Sequence, residues 1–220
     1  MGADPRSSDQ WTHGVVRVTT EGRGFVMDTG ELRAGRVVIT AAHCLPHIPM
    51  EFPIEDEERT YSNLLGSLGD DPTVWAQCLF VDPVADLAVL GSPDDQVLSS
   101  QSTEFYSWVE GLVPFRLGAI RDNRDTCWLL SLDGTWCQGS VRAMGHGYAP
   151  LWISGVEAGI LGGMSGGPIV IADGSAIGVV TLAFGSSDFM MDARCPRLTH
   201  DLPGLLLRAI TTERRRGSGT

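Results

Sequence analysis

No stretch of this 220-residue chain is apolar over the roughly 20 residues a bilayer-spanning helix needs. Its first ten residues, Met1 to Gln10, are polar and lack the apolar core of a secretory signal, so the sequence predicts a cytoplasmic protein that does not enter a membrane. Basic residues are scarce. Lys and Arg number 16 against 27 Asp and Glu, for a net charge of −11. Phosphate backbones demand a basic face, so nucleic acid is excluded as a partner. The five cysteines are odd in number and form no CxxC or His/Cys cluster, which argues against both a disulfide framework and a metal site. Cys127 and Cys137 flank Asp133-Gly134, but a two-residue turn there puts Cys137 opposite Leu130 and on the other face from Cys127, so free thiols are expected. No cofactor is expected.

Helical periodicity is rare as well. Glycine is abundant at 27 and proline reaches 12, and the apolar runs are short and separated by turn signals, as in an all-β chain. Strands are expected over 14–19, 23–27, 36–39, 75–81, 87–90, 127–132, 135–143, 151–154, 168–171 and 176–183. Asp133-Gly134 and Asp173-Gly174 read as hairpin turns. The best helical pattern is terminal, over 202–213. Residues 94–117 read as a connection between two halves, with Phe105, Tyr106 and Trp108 covering an apolar face. A chain of this length can bury two small cores that share an interface.

Three short motifs carry chemistry. In Gly162-Gly163-Met164-Ser165-Gly166-Gly167-Pro168 a serine sits among glycines, which permit a tight turn and a close substrate approach and leave N–H groups free to face a developing oxyanion. Upstream, the apolar run Val37-Val38-Ile39-Thr40-Ala41-Ala42 ends by presenting His43 and Cys44. Between them Asp86 directly precedes Leu87-Ala88-Val89-Leu90. Asp82 is its near rival, but Asp82 precedes Pro83 and fits a turn. Histidine, aspartate and serine are the parts of an activated nucleophile. The run Gly163 to Gly167 also satisfies G-x-S-x-G, the elbow of α/β-hydrolases. That motif needs a helix after it and a later acid and histidine. Here a strand follows, and His200 is the sole histidine left.

T-A-A-H-C at 40–44, D-L-A-V-L at 86–90 and G-x-S-G-G-P at 163–168 together resemble the trypsin/chymotrypsin-like serine proteases. The resemblance covers residues 11–212 and implies two six-stranded antiparallel β-barrels with a C-terminal helix. The first barrel would span about 11–95, a linker 96–112, the second barrel 113–200 and the helix 202–213, with flexible tails at 1–10 and 214–220. It implies that Ser165 attacks a peptide carbonyl, that His43 takes and returns the proton, and that Asp86 orients the imidazole. The N–H groups of Gly163 and Ser165 would form the oxyanion hole. Substrate would be bound by Gly159, Ile160 and Leu161 and by Thr181, Leu182 and Ala183. With no acidic residue there, a small or medium apolar side chain fits before the scissile bond.

The departures from that family bear on regulation. Its secreted members insert a new N-terminal amine beside an aspartate preceding the serine; here that residue is Met164, and Trp11-Thr12-His13-Gly14-Val15-Val16 replaces the usual start. Secreted members also bridge the cysteine after the histidine to an earlier one, and by counting along the chain that position is Asp28. Deg-type (high-temperature-requirement) proteases share the loss of the zymogen switch, and the approach Ala158-Gly159-Ile160-Leu161-Gly162-Gly163 is similar to theirs. The expectation is an intracellular regulatory endopeptidase of the non-zymogen type, acting on a protein or peptide and controlled by an activating partner protein. The alternative is a latent or pseudo-protease module that acts by binding. His146 reads as a loop histidine.

Much of the negative charge lies in Glu51 to Glu58 and in Asp70-Asp71, placed in a long loop of the first barrel. A solvated loop expects that neutralising Glu55, Asp56, Glu57 and Glu58 together leaves peptide cleavage and its salt dependence unchanged. A loss of rate that disappears at high salt would reveal an acidic exosite instead.

Overall fold

The structure is a computed structural model that describes residues 9–29, 35–49, 59–120, 124–143, 150–157, 159–181 and 193–216. Calls on Glu51 to Glu58, His146, Ala158, Leu182 and Ala183 therefore lie outside the described residues. A one-turn helix α1 (Asp9–Thr12) leads into β1 (Val15–Val18), β2 (Gly22–Asp28) and β3 (Arg36–Thr40). After a 3-10 turn at Ala42–Cys44 come β4 (Thr60–Ser67), β5 (Val74–Asp82) and β6 (Leu87–Gly91). These six strands close into an antiparallel barrel in the order β1-β2-β3-β6-β5-β4. The run Leu87-Ala88-Val89-Leu90-Gly91 is apolar without alternation because β6 is buried along its whole length.

The second unit departs from expectation. Its strands are β7 (Arg116–Leu117), β8 (Arg124–Leu130), β9 (Trp136–Ala143), β10 (Leu151–Ser154), β11 (Pro168–Ile171), β12 (Ser175–Val179) and β13 (Ala193–Cys195). They form a seven-stranded sheet, ordered β13-β10-β9-β8-β11-β12-β7, rather than a closed six-stranded barrel. The two-residue strand β7 runs parallel to β12 and occupies its outer edge. The segment just after β13 approaches β12 through an isolated bridge between Gly178 and Arg197 and a hydrogen bond from Val179 N–H to Pro196 O at 3.4 Å. The C-terminal helix is short: α3 (Leu198–Asp201) is followed by α4 (Gly204–Arg216).

Both hairpin turns contain one more residue than the sequence suggested. Cys137 faces Leu129, not Leu130, and Cys127 faces Gly139. Ser131 N–H donates to Thr135 O at 2.9 Å, and Gly134 closes the loop with φ +84. Gly174, at φ +79, does the same between β11 and β12, its N–H donating to Ile171 O at 2.9 Å. In each case a turn closed by an i+3 N–H to i carbonyl bond ends on a left-handed glycine, a conformation adopted there without a Cβ clash. All five cysteines are free thiols, and burial pushes Cys78 up to about 11, Cys127 to about 12 and Cys195 to about 11.

The connection between the halves is a helix, α2 (Ser99–Glu110). Its buried residues Ser102, Phe105 and Val109 fall at i, i+3 and i+7, one face of a helix. Phe105 is fully buried in the first core. At the far end the Arg36 guanidinium donates to Val109 O at 2.6 Å, Glu110 O at 3.0 Å and Leu112 O at 2.8 Å, so a cation caps carbonyls with no partner inside the helix. Strand β4 was also unforeseen. The ladder slips between Tyr61 and Leu65, with Asn63 at φ +50, and that bulge removes the alternation by which strands are recognised. Asp70 and Asp71 consequently sit in the short β4–β5 turn, not in a long loop. Near the N-terminus Trp11 packs edge-on against Trp128 and Trp136, with ring centroids 6.4 and 5.3 Å apart.

Truncating Phe105→Ala removes a fully buried ring from beneath α2. The expected loss is about 3–5 kcal/mol of unfolding free energy, read from a urea titration, with little change in the m-value.

Candidate active site

Strand β3 ends at Thr40, and the 3-10 turn after it turns His43 out of the barrel into the cleft. Asp86 closes the turn between β5 and β6. Its neighbour Asp82 is occupied elsewhere, since its Oδ1 accepts the N–H groups of Val84 and Ala85, both at 2.9 Å, and so caps that turn. Asp86 itself has φ +59, a left-handed conformation that aspartate tolerates better than most residues. This geometry lets one carboxylate hold residue 43 twice. Oδ2 lies 2.7 Å from the His43 Nδ1, and Oδ1 accepts the His43 backbone N–H at 2.9 Å. The imidazole cannot rotate without breaking the first bond, and its turn cannot shift without breaking the second.

The electrostatics follow from the contacts. The hydrogen bond that the His43 ring makes to Asp86, then one to Cys44, raises the imidazole to about 10, although burial opposes the charged form. Burial also works against the Asp86 charge, but hydrogen bonds from the His43 ring and backbone outweigh it and hold the carboxyl below its ordinary value. The raised value means that His43 contributes its stabilisation in full below about pH 6.5 and loses it as pH rises towards about 10. The depressed Asp86 value means that the pair's contribution also falls away in acid as the carboxylate is protonated.

Ser165 lies across the cleft, and is 7% exposed. Its carbonyl accepts the Arg23 backbone N–H at 2.8 Å and the Cys44 Sγ–H at 3.6 Å, which pins the nucleophile loop against β2. The next residue, Gly166, has φ +84, and a Cβ there would stand 1.8 Å from Arg23 O and 2.5 Å from Thr40 Oγ1. Only glycine fits. Gly163 is also left-handed at φ +87. Among the described residues no hydrogen bond joins the Ser165 hydroxyl to the His43 ring, and no backbone oxygen accepts from the N–H of Gly163 or of Ser165. His43, Ser165, Gly162 and Gly163 line one open cleft of about 730 Å³ with Cys44 and Leu45.

Met164 has a different place from the acidic residue it replaces. It is 1% exposed within the second core, and its sulfur accepts the Leu161 N–H at 3.4 Å, so the loop is anchored by packing instead of by an ion pair. Of the expected substrate-binding residues, Gly159, Ile160, Leu161 and Thr181 lie among the described residues. Ile160 packs against the second core, Leu161 is 53% exposed, and Gly159 turns with φ +68. Thr181 is buried, donates to Arg194 O at 2.7 Å, and lines a separate cavity of about 410 Å³ beside Asp86. The position facing Cys44 is Gly22 rather than Asp28, since a Cβ at Gly22 would lie 2.8 Å from the Cys44 Cβ and Sγ. The β2–β3 connection is longer than a count back from the histidine assumes. Sequence reasoning missed Arg23 and Thr40. The one signal was a cation standing inside the apolar run Gly22-Arg23-Gly24-Phe25-Val26-Met27.

The family model for a trypsin-like peptidase domain matches residues 22–179, well over half of the chain. This chain belongs to the trypsin-like peptidase family. The family is one of serine endopeptidases, hydrolases that act on protein or peptide substrates. Comparison with curated protein sequences gave no match. Among solved structures the chain is similar to the serine endoprotease from Yersinia pestis, with a TM-score of 0.57 and 18% identity over 97% of this chain and 66% of that one. It is similar also to the HtrA-type protease AlgW with a tripeptide, with a TM-score of 0.54 and 19% identity over 87% of this chain and 58% of that one. The inactive form of the Rv3671c protease from M. tuberculosis gives 0.53 and 18% identity over 96% of this chain and 95% of that one. The chain thus spans less than two thirds of the length of the first two, and at these identities the likeness is one of fold.

Asp86→Asn keeps the left-handed backbone and the shape of the side chain while removing the charge. The His43 imidazole titration, followed by NMR, is expected to move down from the wild-type midpoint; an unmoved midpoint would show that Asp86 does not set it.

Proposed function

We propose that this trypsin-like peptidase cleaves peptide bonds through an acyl-enzyme, with Ser165 as nucleophile, His43 as general base and then acid, and Asp86 holding the imidazole. The observation that carries the reading is the double grip of Asp86 on residue 43. A carboxylate there supports a proton on Nδ1 in either charge state of the ring. His43 and Ser165 line the same cleft, which supports Nε2 as the nitrogen that exchanges a proton with the serine. The N–H groups of Gly163 and Ser165 are the candidate oxyanion donors, and each such donor is worth about 10²–10³ in rate. The imidazole keeps its proton across neutral pH, so acylation rises on the alkaline side as the neutral base becomes available. Gly159, Ile160, Leu161 and Thr181, with Leu182 and Ala183, are proposed to shape a neutral pocket for an apolar side chain. The proposed site of action is the cytoplasm, on a protein or peptide substrate and under an activating partner protein.

One observation favours the latent alternative: the Ser165 hydroxyl lacks a hydrogen bond to the His43 ring among the described residues. Catalytic hydrogen bonds often tighten only once substrate is bound, and the peptidase reading expects this one to form then.

Exposure to a fluorophosphonate separates them. The expected result is one adduct by intact mass, absent in Ser165→Ala, forming faster as pH is raised through the His43 midpoint. A wild-type chain that stays unlabelled at every pH, and gains a Ser165 adduct only with an added partner, would establish the latent form. An adduct that survives in Ser165→Ala would overturn the assignment of the nucleophile.

A further inference from the structure

We infer that Arg23 is a positioning residue that clamps the second sheet to the first and thereby holds Gly163 and Ser165 in register with His43; its catalytic consequence rests on the reading above. The side chain is 8% exposed, yet it meets no carboxylate among the described residues. Its guanidinium instead donates from Nη1 to Leu130 O and from Nη2 to Ser131 O, the latter at 3.0 Å, across the boundary between the sheets. These carbonyls lie where β8 runs into its hairpin turn. Burial without a counter-ion is unfavourable to a cation, and it lowers the Arg23 pKa. A methionine would fill the same volume without that cost, so the charge is explained by what its planar fork can reach.

The lever from that fork to the nucleophile loop is short. Leu132, next in the hairpin, has its Cδ2 3.1 Å from where a Gly163 Cβ would be, so the hairpin tip rests on the residue that carries one proposed oxyanion donor. On the other side Arg23 N–H bonds Ser165 O at 2.8 Å, while Arg23 O accepts the Thr40 Oγ1 hydroxyl at 2.6 Å, three residues before His43. One residue of β2 therefore touches the backbone of the nucleophile, the strand that presents the base, and the hairpin that buttresses the oxyanion loop. With Met164 packed in the second core where secreted relatives use an ion pair, the seam at Arg23 takes over the positioning.

Substitution of the side chain leaves its backbone bonds in place and removes only the fork. For Arg23→Met and Arg23→Lys, the second-order rate of fluorophosphonate labelling and kcat on a peptide substrate are expected to fall about tenfold to a hundredfold. KM should stay within about twofold and the pH midpoint unchanged, because His43 and Asp86 are untouched. Lysine should recover part of the loss at most, since an ammonium lacks the planar fork. Amide hydrogen exchange, measured on the same proteins, should quicken over 131–137 and 161–167 while 36–40 keeps its protection. A rate loss matched by a fall in folded fraction, or labelling and exchange in Arg23→Met identical to wild type, would overturn the proposal. The exchange arm does not need activity. If wild type fails to label both alone and with an added partner while exchange responds as expected, the peptidase reading falls and the clamp stands.

Discussion

The cleft depends on how closely β2 can approach the loop around Ser165. At Gly166 the two backbones are too close for any side chain, since a Cβ there would overlap the Arg23 carbonyl oxygen. This contact is the joint on which a barrel and a sheet with separate hydrogen-bond ladders become one molecule. His43 and Asp86 belong to the barrel, Ser165 to the segment that enters β11. Their mutual distance is therefore a property of the seam and not of either unit. A constraint of this kind explains why the loop is glycine-rich in positions that no turn rule would single out.

The barrel side and the sheet side are organised by different means. On the barrel side position is fixed by charge: Asp86 holds His43 by ring and backbone and accepts a left-handed φ to do so, at a cost of roughly 1–2 kcal/mol. On the sheet side position is fixed by packing. Met164 is buried among Cys127, Leu129, Val141 and Ile169, and its sulfur takes the Leu161 N–H. Apolar anchoring needs no new chain terminus to form, so the loop is organised as soon as the second core is.

Where the sequence was informative, the reason was local. Asp86 could be preferred to Asp82 because it abuts the apolar run of β6, and the structure gives Asp82 to a turn and Asp86 to His43. Strand β3 and its terminal histidine were readable for the same reason. Helix α2 was not, because Ser99-Ser100-Gln101-Ser102-Thr103 are indifferent helix formers and its buried face is only three residues deep. Strand β4 was hidden by a bulge, and the register of the β8–β9 hairpin was off by one because Asp-Gly serves three-residue loops as well as two-residue ones. The open second sheet left no mark at all, since closure is decided by which distant edges meet. Arg23 was overlooked because its partners lie more than a hundred residues away. The oxyanion and triad assignments rest on motif order, and the substrate pocket lies partly outside the described residues.

Helix α2 also has a mechanical consequence. A connection of loose chain would let the two halves swing apart about it. Here the span is a capped helix packed on the first barrel, and the residues after it are tied down as well, with Val113 N–H on His13 O and Phe115 N–H on Val26 O. Val113 and Phe115 are both held on the first barrel, and β7 begins at Arg116 in the second sheet, so no slack chain separates the halves. A short bridge of this kind favours sliding of the halves along their common face, a shear of small amplitude, over a wide swing. A cleft built this way adjusts by fractions of an ångström of slip, the scale on which an oxyanion hole is made or lost.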